Sequence, residues 1–256
     1  MGFDREAFDE LGYARLPGVF SDDIAAGLRD VAWSELTSKH GVHEHDSSTW
    51  TVPEPRHWKR TRTAAARLMV APPVSDALDV LLGPGAWRTP DHWHVLVTFP
   101  APGAWRLPHR LWHIDGAVSP HPTALTEVKL FAFFGSVGPR GGGTLVLPRS
   151  HRMLARLLEN QATLVTAEPK QLWARFMAHA PWLKALASAT DASPDRAARF
   201  MAEDGDVQSV PARVVELTGE PGDVVLCHPM LFHCVSPNTA ACPRFMRTTM
   251  IKRLPA

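Results

Sequence analysis

The stretch RLPHRLWHIDGAVSP, residues 106–120, sets a histidine and a carboxylate, His113 and Asp115, one residue apart behind Trp112. Side chains two apart on an extended strand point to the same face, so an imidazole and a carboxylate at this spacing converge on one point, such as a metal ion. In a chain with 13 histidines a His-x-Asp arises about once by chance. The pair therefore needs a third partner before it signifies a site.

The second informative stretch, EPGDVVLCHPMLFHCVSPNTAACPRFMRTTM, covers residues 220–250. A glycine turn enters a strand, followed by His228 and His233, and then Arg244. One of these histidines beside His113 and Asp115 would give two imidazoles and one carboxylate on one face of a metal. That facial triad leaves the opposite coordination positions open, as in non-haem Fe(II) oxygenases. On residue types alone, either histidine can be the third ligand. Two other readings use the same residues: a zinc hydrolase with a metal-bound water, which leaves Arg244 without a task, and a non-catalytic binding module.

The elements that must position these groups can be traced along the chain. Residues 4–11 and 21–37 read as helices, the second opening at SDD, where Ser21 can cap and the acids suit the positive end of the helix dipole. GYARLPGVF between them reads as a strand and turn. Residues 38–62 are polar, aperiodic and rich in histidine and proline, which predicts an exposed loop. Residues 63–83 return to helical spacing and stop at GPG. From residue 92 the period changes to two in HWHVLVTFP, VKLFAFFGSV, TLVLP, ARVVEL, DVVLCHP and FMRTTMI. Short strands after N-terminal helices predict a mainly β jelly roll with an outer helical layer. The expected division of one domain over residues 1–256 is a helical layer at 1–90, a jelly-roll core at 92–150 and 212–253, and a helical insertion or lid at 152–211.

Composition narrows the functional classes. A chain of 256 residues with 45% apolar content can bury one substantial core. A net charge of +1 gives no reason to expect a nucleic acid partner. Cys227, Cys234 and Cys242 have no C-x-x-C spacing and an odd count, as expected of a reducing compartment. No apolar run suits a leader or a membrane span, so the expectation is a cytoplasmic protein without membrane contact.

Four stretches together resemble the phytanoyl-CoA dioxygenase family of Fe(II)- and 2-oxoglutarate-dependent oxygenases. FDELGYARLPGVFSDDIAAGLR is similar to the family's opening helix, strand and helix, and LWHID to its W-H-x-D. GGGTLVLPRSH is similar to its G-x-T-x-x-x-P-G-S-H, and GDVVLCHPMLFHCVSPN to its glycine-led strand with paired histidines and a terminal asparagine. The resemblance implies a double-stranded β-helix of cupin type. It also implies that His113, Asp115 and His233 bind iron, with His228 not a ligand, and that Arg244 pairs with the far carboxylate of 2-oxoglutarate. A planar guanidinium suits that task because it matches a carboxylate in a two-point bond. Thr144 falls at a position that in some relatives helps to hold 2-oxoglutarate. The implied reaction uses O2 and 2-oxoglutarate, releases succinate and CO2, and hydroxylates or otherwise oxidises an unactivated C–H bond. A small organic molecule in natural-product biosynthesis is the expected substrate.

Two departures from the family pattern stand out. Arg149 replaces the glycine of P-G-S-H, and Val235 stands where a small polar residue is frequent, with Ser236 one further on. Asp115 is retained where halogenating relatives carry a small residue, which implies an oxygenase. Trp105, Arg106, His109 and Arg110 are candidate substrate-facing residues, and a positive mouth there would suit an anionic substrate. The basic run from Arg56 to Arg62 reads as a solvated loop.

Overall fold

A computed structural model describes residues 3–51, 69–90, 93–189 and 196–255. Helix α1 (Arg5–Leu11) starts at Asp4, whose carboxylate accepts from the Ala7 N–H, and ends at Gly12 in the left-handed conformation. Strand β1 (Tyr13–Leu16) leads to α2 (Asp22–His40), which runs three residues past its predicted end before Gly41 stops it. Helix α3 is Val74–Leu82; the rest of its predicted span, and the basic run Arg56 to Arg62, lie largely or wholly outside the described residues.

The strands form two facing antiparallel sheets. The larger joins β1, β8 (Val224–Cys227), β3 (Glu127–Phe133), β10 (Arg244–Lys252) and β2 (His94–Thr98), in that spatial order. The smaller has β4 (Leu145–Val146) between β7 (Val215–Glu216) and β9 (His233–Cys234). An isolated bridge between His113 and His233 extends it by one more chain segment. This is the jelly roll that the strand pattern predicted, with antiparallel pairing throughout.

Three apolar layers follow from strand alternation. Val95, Val97, Leu130, Ala132 and Phe245 face outward from the large sheet and pack against Leu28, Trp33 and Leu36 of α2 and Leu78 of α3. Phe131, Phe133, Val225 and Met246 point inward, where they meet Val146 and Leu217 from the small sheet. The outer face of the small sheet is covered by the helical segment predicted between the two halves of the core. It comprises α4 (Ser150–Asn160), α5 (Pro169–Ala178) and α6 (Pro181–Leu186), and ends in a hairpin of β5 (Gly205–Val207) and β6 (Val210–Ala212). Phe176 of α5 stacks on Phe232, one residue before His233, with ring centroids 4.2 Å apart. The insertion thus packs directly behind β9.

Arg149 resolves the first departure from the family pattern. It sits before α4 at φ 68°, the left-handed region a glycine would occupy without cost. For a side chain this geometry costs about 1–2 kcal/mol. Its guanidinium pairs with Glu10 of α1 at 2.7 Å, and its N–H donates to the Leu11 carbonyl at 2.9 Å. The strained residue therefore ties α4 to α1 in a way glycine cannot.

Candidate metal centre

His113 and His233 face each other across the bridge, each N–H donating to the other's carbonyl at 2.9 and 3.0 Å. Their rings lie 4.3 Å apart between centroids. The Nδ1 of His113 is 2.8 Å from the Leu111 carbonyl, and that of His233 is 3.0 Å from the Leu231 carbonyl. A carbonyl only accepts, so both Nδ1 atoms carry the proton and both Nε2 atoms present a lone pair. Leu111 adopts φ 68° to aim its carbonyl this way. The tautomer is thus set by backbone geometry in the manner of outer-shell partners of metal-bound histidines.

Asp115 completes the cluster. Its Oδ2 is 3.3 Å from His233 Nε2 and its Oδ1 is 3.6 Å from His113 Nε2. One ligand atom from each of the three residues lies within 4.8 Å of the others. Gly116 makes the approach possible, because a Cβ there would stand 2.2 Å from Pro229 and 2.6 Å from the Glu127 carboxylate. Two imidazole nitrogens and one carboxylate oxygen fit a divalent first-row metal.

Burial by itself would raise the Asp115 pKa, but the charge and hydrogen bond of the Lys129 ammonium, 2.6 Å from Oδ2, hold the carboxyl well below the usual carboxylate range. His113 is shifted downward, first by burial and then by the neighbouring His233. Both shifts favour the forms that bind metal, a carboxylate and a neutral imidazole.

The three residues open onto a cavity of about 450 Å³ between the sheets, also lined by His94, Leu96, Lys129, Phe131, Thr144, Val235, Arg244 and Thr248. Arg244 opens β10, is buried, and donates from Nη1 to the Gly142 carbonyl at 2.6 Å. Thr144 is buried and lines the same space. Arg247, three residues along the strand, falls on the opposite face, under α2 and 5.7 Å from the Phe134 ring centroid. Burial lowers its pKa to about 10. Strand alternation therefore divides two nearby arginines between two tasks.

His228, the competing ligand, lies elsewhere. Its Nε2–H donates to the Pro122 carbonyl at 2.7 Å and its Nδ1 accepts from the Met230 N–H at 3.0 Å. The four candidates Trp105, Arg106, His109 and Arg110 do not line the cavity. Trp105 instead donates to the Ser236 hydroxyl at 3.0 Å, so the serine beside Val235 is turned to the loop while Val235 faces the cavity. The asparagine of SPN, Asn238, is fully buried and bridges the carbonyls of Thr98 and Cys242, each at 2.9 Å, pinning the turn into β10. Lys129 was missed in the sequence, although a lysine two residues from Phe131 in an apolar strand was a legible signal.

Fold and cluster define a jelly-roll protein with two histidines and one carboxylate placed so that they could hold a metal ion. The family model of phytanoyl-CoA dioxygenase (PhyH) matches residues 8–246, and the chain belongs to that family. Among curated proteins no match is found. Solved structures with the same fold include EvdMO1, at 18% identity and a TM-score of 0.57, with 98% of this chain covered. This chain spans about half the length of EvdMO1, 49%. HygX from Streptomyces hygroscopicus, with nickel and 2-oxoglutarate bound, matches at 13% identity and a TM-score of 0.56, covering 98% of this chain and 88% of HygX. SnoN, a nogalamycin epimerase in complex with Fe3+, alpha ketoglutarate and nogalamycin RO, matches at 15% identity and a TM-score of 0.53, covering 97% and 83%. At these identities the likeness is one of fold. Among the described residues no helix is long and apolar enough to cross a membrane.

Proposed function

We propose that this protein is an Fe(II)- and 2-oxoglutarate-dependent oxygenase that oxidises an unactivated C–H bond of a small organic molecule, in the biosynthesis of a natural product. The observation that carries this reading is the convergence of His113, Asp115 and His233 within 4.8 Å, in one cavity with the buried Arg244. A zinc hydrolase would need the three ligands but not the arginine.

In this reading His113, Asp115 and His233 hold the metal. Arg244 holds the far carboxylate of 2-oxoglutarate with two parallel N–H bonds, and Thr144 adds a hydroxyl donor. When bound, metal and 2-oxoglutarate supply an oxidant made from O2, with release of succinate and CO2. The chain's own part is placement. Two backbone carbonyls fix the imidazoles, and Leu96, Phe131 and Val235 exclude water around the reacting carbon. Hydroxylation is the default outcome; SnoN, in complex with Fe3+ and alpha ketoglutarate, is named an epimerase, so epimerisation is the second outcome to test.

Anaerobic titration of the protein with Fe(II) and then 2-oxoglutarate tests the reading. A visible charge-transfer band that needs both components is expected. Bound metal without any band on adding 2-oxoglutarate would sink it.

A further inference from the structure

Among the described residues, Lys129 is the lysine or arginine of the cavity lining to which the cofactor reading gives no ligand. Its Nζ lies 2.6 Å from Asp115 Oδ2, and its side chain is only 14% exposed. Its ring neighbour is Phe131, with Nζ 5.5 Å from the centroid. Glu127, which shares its face of β3, is engaged by the Ala117 N–H at 2.7 Å and by Lys252 at 3.9 Å. Among the described residues Asp115 is therefore its sole acidic partner.

Placement along the strand separates Lys129 from Arg244. Lys129 pairs with Met250 of β10, whereas Arg244 pairs with Thr98 of β2. Six residues of β10 between these positions amount to roughly 20 Å. Both residues line the cavity, at separate places along the sheet, and Lys129 is the one beside Asp115.

Charge then decides what Lys129 does. A dication, the Asp115 carboxylate and the two carboxylates of 2-oxoglutarate leave one negative charge, which Arg244 cancels. The ammonium of Lys129, itself mostly buried, is left over in this count once a metal shares its partner. An uncompensated buried charge costs several kcal/mol. A bound anion removes that cost and gains charge-assisted hydrogen bonds, and an ammonium has three donors to offer.

We infer that Lys129 is the substrate's anchor and that the substrate is an organic carboxylate, docked on the side of the metal away from Arg244. This inference rests on the cofactor reading above. It assigns the specificity for an anion to β3 inside the cavity, not to Arg106 and Arg110 on the loop.

The test uses the full chain loaded anaerobically with Fe(II) and 2-oxoglutarate, with benzoate and hexanoate as probes against benzamide and hexanamide. Calorimetry and the charge-transfer band read binding. The expected result is at least a tenfold preference for the acids over the amides. It should be lost in Lys129→Met and Lys129→Gln and kept in Lys129→Arg, while the affinity for 2-oxoglutarate changes less than about threefold and that for the metal less than about tenfold. Equal binding of acid and amide, no binding of either acid at 50-fold excess over protein, or a preference that survives in Lys129→Met would overturn the inference and leave the cofactor reading standing. A loss of metal affinity above tenfold in both neutral variants would overturn it too, making Lys129 a positioning residue for Asp115. No band in the wild type would remove the cofactor reading and this inference with it.

Discussion

Two pairs of histidines meet ring to ring in this molecule at nearly the same distance and are bonded in opposite ways. His113 and His233 lie 4.3 Å apart between ring centroids, and His151 and His228 lie 4.6 Å apart. In the first pair the backbone takes the Nδ1 protons, and the Nε2 atoms converge on Asp115. In the second, His228 has both ring nitrogens bonded to the main chain, and His151 Nε2 bonds to the Asp9 carbonyl at 2.9 Å. No carboxylate faces that pair within ion-pairing distance among the described residues. Proximity of two imidazoles is therefore insufficient for a metal site; what matters is which nitrogen the backbone leaves open and whether a carboxylate closes the set.

The strongest way to break the comparison is to remove one member of each pair. His233→Ala should abolish metal binding, a loss exceeding the roughly 10–100-fold typical when an outer partner of a metal ligand is removed. His228→Ala should leave metal affinity within a few-fold and cost about 2–3 kcal/mol of stability, since it opens a cavity and strands the Met230 N–H. Calorimetric metal titration and urea unfolding of the same two variants separate these effects. Comparable loss of metal by both would show that the assignment of roles is wrong.

The arginines of β10 offer the same contrast. Arg244→Ala should weaken 2-oxoglutarate binding by about 2–4 kcal/mol, or roughly 30- to 1,000-fold, with metal affinity little changed. Arg247→Met should keep 2-oxoglutarate affinity within about threefold, because its side chain lies across the sheet. The anaerobic charge-transfer titration reports both numbers.

Acid sharpens the contrast between the histidine pairs further. Burial pushes His151 down to about 4 and His228 down to about 3, against 6.5 for an unfolded histidine. The unfolded chain takes up protons near pH 6.5 that the folded chain refuses, so stability is full above that pH and is lost as the pH falls toward 4. The loss should be on the order of a few kcal/mol by pH 4. Urea midpoints between pH 7 and 4.5 should fall less steeply in His151→Gln, and an unchanged slope would contradict the burial argument.

The smallest expected effect concerns Arg149. Arg149→Ala loses the Glu10 ion pair and keeps the left-handed strain, whereas Arg149→Gly loses the pair and the strain together. The alanine variant should be the less stable of the two by about 1 kcal/mol, read as a difference in melting temperature.

Much of the site was open to reading because strand periodicity is local. A spacing of two puts His113 and Asp115 on one face, and the alternation in RFMRTTM separates Arg244 from Arg247. The motif stretches also led to the family and to the jelly roll. The two-residue strands were another matter. β9 carries His233 yet has no pattern long enough to announce a strand, and it exists because β4 pairs beside it and Phe176 packs behind it. The loop residues Trp105, Arg106, His109 and Arg110 were chosen for their nearness in sequence to His113, but the chain turns them away from the cavity.

What the sequence by itself determined is the list of donors, the alternation that orients them and the class of fold, since each depends on contacts between near neighbours. Only the tertiary structure decided how His233 is brought against His113 and Asp115, that Arg149 accepts a glycine's geometry, and that Lys129 shares the cavity with these three residues. Those outcomes depend on residues far apart in the chain meeting in the fold, as His113 and His233 do along the edge of the smaller sheet, and no local period carries that information.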